Sequence, residues 1–155
     1  MARILVIEDD EHHRLLLEEE LACEGHATFS AGRGDDAINL LAFAAPDLII
    51  LDIGIPNVDG LRFLGKLVAR RPRVPVVIYT AYQPCHENFM SWAADAYVLK
   101  HSDLGQLKSA VRQVLETSLA ACPPAAAAAS ARADPRSVGE AYRRGQALSS
   151  RGAAG

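Results

Sequence analysis

Short apolar runs recur along residues 1–118, and each ends abruptly in a polar or charged residue. Ile4-Leu5-Val6-Ile7 runs into Glu8 and Asp9, and Leu48-Ile49-Ile50-Leu51 into Asp52. Val76-Val77-Ile78-Tyr79 ends at Thr80, and Ala96-Tyr97-Val98-Leu99 at Lys100. Uninterrupted apolar runs of this length read as strands covered on both faces. A shorter strand is expected at 27–31. The intervening segments have helical spacing. A helix over 11–24 draws its apolar face from Leu15, Leu16, Leu21 and Ala22 and stops at Gly25. A second, 34–44, places Ala37, Ile38 and Leu41 on one side and ends before Pro46; Gly32-Arg33-Gly34 ahead of it reads as a turn rather than a phosphate loop. A third, 61–71, turns Leu64, Leu67 and Val68 inward, and a shorter one covers 86–93. Ser102 and Asp103 cap a last helix carrying Leu104, Leu107, Val111, Val114 and Leu115.

Strands alternating with helices predict an α/β domain: a five-stranded parallel sheet with helices on both faces. Right-handed crossovers favour the flavodoxin-like order 2-1-3-4-5. In that order strands 1 and 3 are neighbours, so Asp9 and Asp52 meet although far apart in the chain. Glu8, Asp9, Asp52, Thr80, Tyr97 and Lys100 all fall toward the carboxyl edge of one sheet, where open α/β sheets bind ligands.

After residue 118 the character changes. Cys122-Pro123-Pro124, a run of alanines and Asp134-Pro135 read as an Ala/Pro-rich, disordered tail over 119–155, with a short helix at 138–148. Charge follows the same division. Residues 1–118 carry 11 Lys/Arg against 17 Asp/Glu, a net of −6, and the tail carries five arginines against two acids, a net of +3. The acidic domain argues against direct binding of nucleic acid. Three cysteines without CxxC spacing read as reduced thiols, and four apolar residues running straight into acid do not read as a signal peptide. No stretch is long and apolar enough to span a membrane. These features fit a cytoplasmic protein. His12, His13, His26, His86 and His101 lack metal-ligand spacing and read as surface residues.

Several carboxylates converging on one sheet edge repel one another unless a cation holds them. Clustered oxygen ligands suit magnesium, with manganese as an alternative; Asp9 and Asp52 can ligate directly and Glu8 through water. Thr80 and Lys100 on the opposite side can hydrogen-bond and neutralise phosphoryl oxygens. A carboxylate between the two groups can attack phosphorus and carry an acyl phosphate.

These segments resemble the response-regulator receiver domains of two-component and phosphorelay signalling. The resemblance rests on Ile-Leu-Val-Ile-Glu-Asp-Asp-Glu at 4–11, Pro-Asp-Leu-Ile-Ile-Leu-Asp at 46–52 with Pro56 and Asp59-Gly60, Val-Val-Ile-Tyr-Thr-Ala at 76–81 and Ala-Tyr-Val-Leu-Lys at 96–100. It implies a stand-alone phosphoprotein switch rather than an enzyme acting on other substrates. Asp52 would be the phosphoacceptor, taking its phosphoryl group from a sensor histidine kinase or a histidine phosphotransfer protein, with self-catalysed phosphorylation and dephosphorylation. Glu8 and Asp9 match the metal pocket, Gly54 the residue lending it a backbone carbonyl, and Thr80 the switch hydroxyl. Tyr97 matches the aromatic that swings in behind Thr80, Lys100 the phosphoryl-pairing lysine, and Ala81 a small residue that leaves the phosphoryl group accessible. An output protein would be read through the Phe89–Trp92 region.

The chain departs from the family pattern at three places. His101 follows the site lysine where a cis-proline is usual, Gly54 has no side chain, and Tyr82 is bulky at the other flank. The competing readings are a haloacid-dehalogenase-like phosphatase, which needs a second Asp where Gly54 stands, and a binding-only pseudo-receiver.

Overall fold

The computed structural model describes residues 1–55, 60–70, 73–81, 94–100 and 103–121. Strands β1 (Arg3–Ile7), β2 (Ala27–Ala31), β3 (Leu48–Leu51), β4 (Val76–Thr80) and β5 (Ala96–Leu99) form one sheet. Helices α1 (Glu11–Cys23), α2 (Gly34–Ala44), α3 (Gly60–Arg70) and α4 (Gly105–Ala121) connect or follow them. The strand order is β2-β1-β3-β4-β5. Every pairing is parallel, with Ile7 level with both Ala31 and Leu51, and Thr80 level with Leu99. This is the expected fold and order. The expected helix at 86–93, with Phe89, Met90 and Trp92, lies outside the described residues, as do the tail from residue 122 and the Lys100–His101 junction.

Two apolar layers enclose the sheet. Leu5, Ile7, Ile49, Leu51 and Ile78 face α2 and α3, meeting Leu40, Leu41, Phe63, Leu64 and Leu67. Ile4, Val6, Leu48, Ile50, Val77 and Tyr79 face α1 and α4, meeting Leu17, Leu21, Leu107 and Val111. Alternate residues of one strand thus serve opposite layers, which is why these runs show no polar alternation.

The helix boundaries have local causes. Asp10 caps α1 by accepting a hydrogen bond from the His13 amide at 2.8 Å. At its far end Gly25 adopts φ +83°, the left-handed conformation expected of a terminating glycine. Asp103 Oδ1 accepts from the Gly105 amide at the start of α4, and α4 runs on to Ala121. At the end of α2 Ala45 takes the left-handed conformation (φ 42°) common where helices terminate, and Pro46 after it cannot continue the helix.

The apolar face of α1 differs from expectation. Leu17 and Leu21 are buried, whereas Leu15 and Leu16 are 49% and 44% exposed and Ala22 is also exposed. Three consecutive leucines leave the helical phase undetermined, and docking on the sheet selects it. The two glycines at 32 and 34 also serve more than a turn. A Cβ at Gly34 would come within 3.0 Å of the Phe63 ring, and one at Gly32 within 2.8 Å of the Arg14 guanidinium.

Tyr79 is an anomaly in the second layer. It is 1% exposed, and its hydroxyl has no hydrogen-bond partner among the described residues. Burial pushes its phenol pKa up, opposed by the Lys100 charge and reinforced by Glu8. A buried hydroxyl without a partner costs about 1–3 kcal/mol. Tyr79→Phe keeps the ring and should raise the melting temperature, by an amount equivalent to about 1 kcal/mol; an unchanged or lower value in a thermal melt would show that the hydroxyl is satisfied.

Candidate functional site

The parallel sheet brings the ends of β1, β3, β4 and β5 to one edge, and backbone hydrogen bonds extend across them. The Glu8 amide donates to the Ala31 carbonyl (3.0 Å), the Asp52 amide to Ile7 (2.9 Å) and the Lys100 amide to Thr80 (2.8 Å). The residues that follow each strand are therefore held nearly as firmly as the strands.

At the centre is the Lys100 ammonium. Its Nζ lies 2.7 Å from Asp52 Oδ2 and 2.6 Å from Glu8 Oε2, bridging residues from three strand ends. Glu8 and Asp52 are 2% and 8% exposed, so bulk water solvates neither carboxylate well. Burial alone would lower the Lys100 pKa. The hydrogen bonds and charges of Asp52 and Glu8 outweigh it, and the net shift is upward.

Asp52 is held from the other side as well, since its Oδ1 accepts from the Gly54 amide at 2.8 Å. This contact of the Gly54 N–H is separate from the carbonyl role that the family resemblance implies for Gly54. Asp9 is exposed beside this pair. Glu8, Asp9 and Asp52 each place a carboxylate oxygen within 4.8 Å of the others. Three carboxylates outnumber the one lysine that bridges two of them, and a divalent cation would offset the excess negative charge. All three donors are hard oxygens, the set magnesium prefers, so the residues present fit that ion.

Thr80 is fully buried, and Ala81 beside it is exposed. Tyr97 is half-buried against the α2/α3 layer. Burial pushes its phenol up first and the Asp52 charge adds to this, so Tyr97 lies within electrostatic reach of Asp52.

Two residues of this site had escaped the sequence reading. His13 is half-buried and has partners: its Nδ1 sits 3.1 Å from Glu8 Oε2 and its ring 5.6 Å from that of Tyr79. Arg14 reaches the Glu8 carbonyl at 2.8 Å. Their one readable signal was position, a helical turn after an acidic strand end. His12 is exposed as expected, and His26 is half-buried, near the Ala2 amide (Nδ1 at 3.4 Å). His86 and His101 lie outside the described residues.

Comparison with known proteins gives this geometry a family. Residues 4–112 match the model of the response regulator receiver domain. The sporulation initiation phosphotransferase F of Bacillus subtilis is 30% identical over 115 residues, spanning 73% of this chain and 93% of that protein. The regulatory protein AtoC of Escherichia coli is 33% identical over 117 residues, 74% of this chain but 25% of that protein. The chain likewise spans about half the length of AfsQ1 of Streptomyces coelicolor (52%). Among solved structures, the response regulator TrrA of Thermotoga maritima, in complex with Mg2+ and BeF, is 36% identical with a TM-score of 0.68, over 74% of this chain and 99% of that one. A CheY-like receiver from Methanospirillum hungatei, 23% identical, shares the fold with a TM-score of 0.74. Among the described residues no helix is long and apolar enough to cross a membrane. With the fold, the edge of convergent acids and a match over 4–112 in agreement, this chain belongs to the response regulator receiver domain family.

Proposed function

We propose that Asp52 is the phosphoacceptor of a two-component or phosphorelay switch, charged from a phosphohistidine with magnesium held by Glu8, Asp9, Asp52 and the Gly54 carbonyl. The observation that carries this reading is the Lys100 bridge. A half-buried lysine 2.7 Å from Asp52 and 2.6 Å from Glu8 pairs with both strand-end carboxylates, two of the three acids whose oxygens lie within 4.8 Å of one another. Further support comes from TrrA, whose structures include complexes with Mg2+-BeF and with the histidine kinase ThkA.

In this mechanism Asp52 Oδ2 attacks phosphorus. The new O–P bond forms as the N–P bond to histidine breaks, and the imidazole leaves with the electron pair. Gly54 N–H keeps Oδ1 fixed, so the attacking oxygen is the one now facing Lys100. Lys100 turns from Asp52 to a phosphoryl oxygen, which gives it a stronger charge partner. The Thr80 hydroxyl takes another oxygen, Ala81 leaves the entry open, and Tyr97 moves behind Thr80. Bound magnesium would offset the charge on the phosphoryl oxygens. The step acts on the protein itself, and the product is a switched surface for an output protein that includes the Phe89–Trp92 region. The haloacid-dehalogenase alternative lacks its second acid, since Gly54 stands there.

Incubation with magnesium and a small phosphodonor should add one labile phosphoryl group by mass spectrometry, and beryllofluoride should bind in its place. Wild-type protein that takes up neither would overturn the reading.

A further inference from the structure

Arg14 takes up the carbonyls of three successive residues that lead from β1 into α1. Its backbone amide donates to Asp10 at 2.9 Å, the first hydrogen bond of the helix. Its guanidinium folds back over the turn. One nitrogen, Nη1, lies 2.8 Å from the Glu8 carbonyl and 3.5 Å from that of Asp9. Those two residues carry the acids of the metal pocket. Their carbonyls precede the helix and are not covered by its own hydrogen bonds.

The guanidinium can lie there only because residue 32 is glycine. A Cβ on Gly32 would sit 2.8 Å from Arg14 Nη1 and 3.5 Å from its Cζ, but at an ordinary 3.7 Å from the Glu8 carbonyl. Its φ is not in the left-handed region, so backbone conformation does not require glycine at 32. The guanidinium lies where the end of β2, the start of α1 and the end of β1 meet.

We propose that Arg14 and Gly32 form a clamp that presets the spacing of Glu8 and Asp9 for a divalent cation. Arg14 is a positioning residue: it acts on the acids through their backbone and touches no reacting atom. The inference rests on the phosphoacceptor reading of the same edge. The opposing effect is charge, since a guanidinium near the pocket repels a cation and its removal alone would strengthen metal binding. A variant that keeps the charge and loses the grip therefore separates the two.

Gly32→Ala is that variant. The added methyl meets the far end of a flexible side chain, so the guanidinium moves and the strand stays. Arg14→Lys is the second, keeping the charge but replacing the planar fork with a single ammonium, and it tests the same grip should Gly32→Ala not fold. Calorimetric titration with Mg2+ alone, and with Mn2+ alone, should give affinities about tenfold or more below wild type for both, the scale on which outer partners of metal ligands act. In an Arg14→Ala background the methyl at 32 has nothing to displace, and Gly32→Ala should then add no further loss. Wild-type affinity in both charge-preserving variants would overturn the clamp, as would an equal loss from Gly32→Ala with and without Arg14. Wild-type protein that binds neither ion, or binds them equally well after Asp9→Asn, would instead overturn the metal-site reading and the clamp with it.

Discussion

Asp52→Asn should abolish phosphoryl uptake while leaving the fold intact. Asparagine has the same shape, and its amide oxygen can still accept from the Gly54 amide that now holds Oδ1 at 2.8 Å. What it lacks is the nucleophilic carboxylate, and an amide does not form an acyl phosphate under these conditions. The same substitution removes a charge partner from Lys100, leaving Glu8 as its remaining described carboxylate. Lys100→Met should behave differently. It retains the nucleophile but loses the group that would neutralise the phosphoryl oxygens, and losing one such group costs on the order of 10²-fold in rate. Because Lys100 also occupies the oxygens of Glu8 and Asp52, its removal should not weaken Mg2+ binding. Uptake from a small phosphodonor, followed by mass spectrometry alongside Mg2+ titration, distinguishes the two variants: Asp52→Asn silent, Lys100→Met slow with metal binding retained. Equal uptake in Asp52→Asn and wild type would place the phosphoryl group elsewhere.

Leu17→Ala should destabilise the domain by roughly 3 kcal/mol and lower its melting temperature by roughly 10 °C, whereas Leu16→Ala should cost under about 1 kcal/mol. The two leucines are adjacent and chemically identical. Leu17 is 1% exposed and belongs to the layer that α1 and α4 build under the sheet, so its truncation leaves a cavity. Leu16 is 44% exposed, and alanine is at least as good a helix former there. A domain of this size is stable by roughly 5–15 kcal/mol, so the first loss is a large fraction of the total. Thermal and urea melts of both variants would measure the difference. Equal losses would mean that α1 is rotated from the orientation found here.

That pair marks a boundary of sequence reading. Periodicity and Gly25 at the end point to a helix over 11–24, and the structure places it at Glu11–Cys23 with Asp10 as its cap. It cannot choose a face when leucines occupy 15, 16 and 17. His13 was missed for the same reason: a histidine one turn into an acidic helix is ordinary until the helix docks and sets its ring beside Glu8 and Tyr79. Arg14 and Gly32 were missed because their relation lies between elements, eighteen positions apart in the chain.

The strands and their polar ends were legible directly. Each apolar run is short, continuous and closed by the residue that reaches the site, so Glu8, Asp52, Thr80 and Lys100 could be named from the chain alone, and alternation with helices dictated a parallel sheet. Only the tertiary structure decided how those ends are paired. Lys100 shares its charge between Glu8 and Asp52, the Gly54 N–H fixes Asp52 Oδ1, and the Arg14 guanidinium lies over the turn before α1 beside a bare glycine. The physical reason is range. Backbone propensity and burial patterns act over a few neighbouring residues and are written locally. The contacts among groups brought to one edge depend on helix phase, side-chain reach and the burial of charge, and those exist only once the sheet has formed.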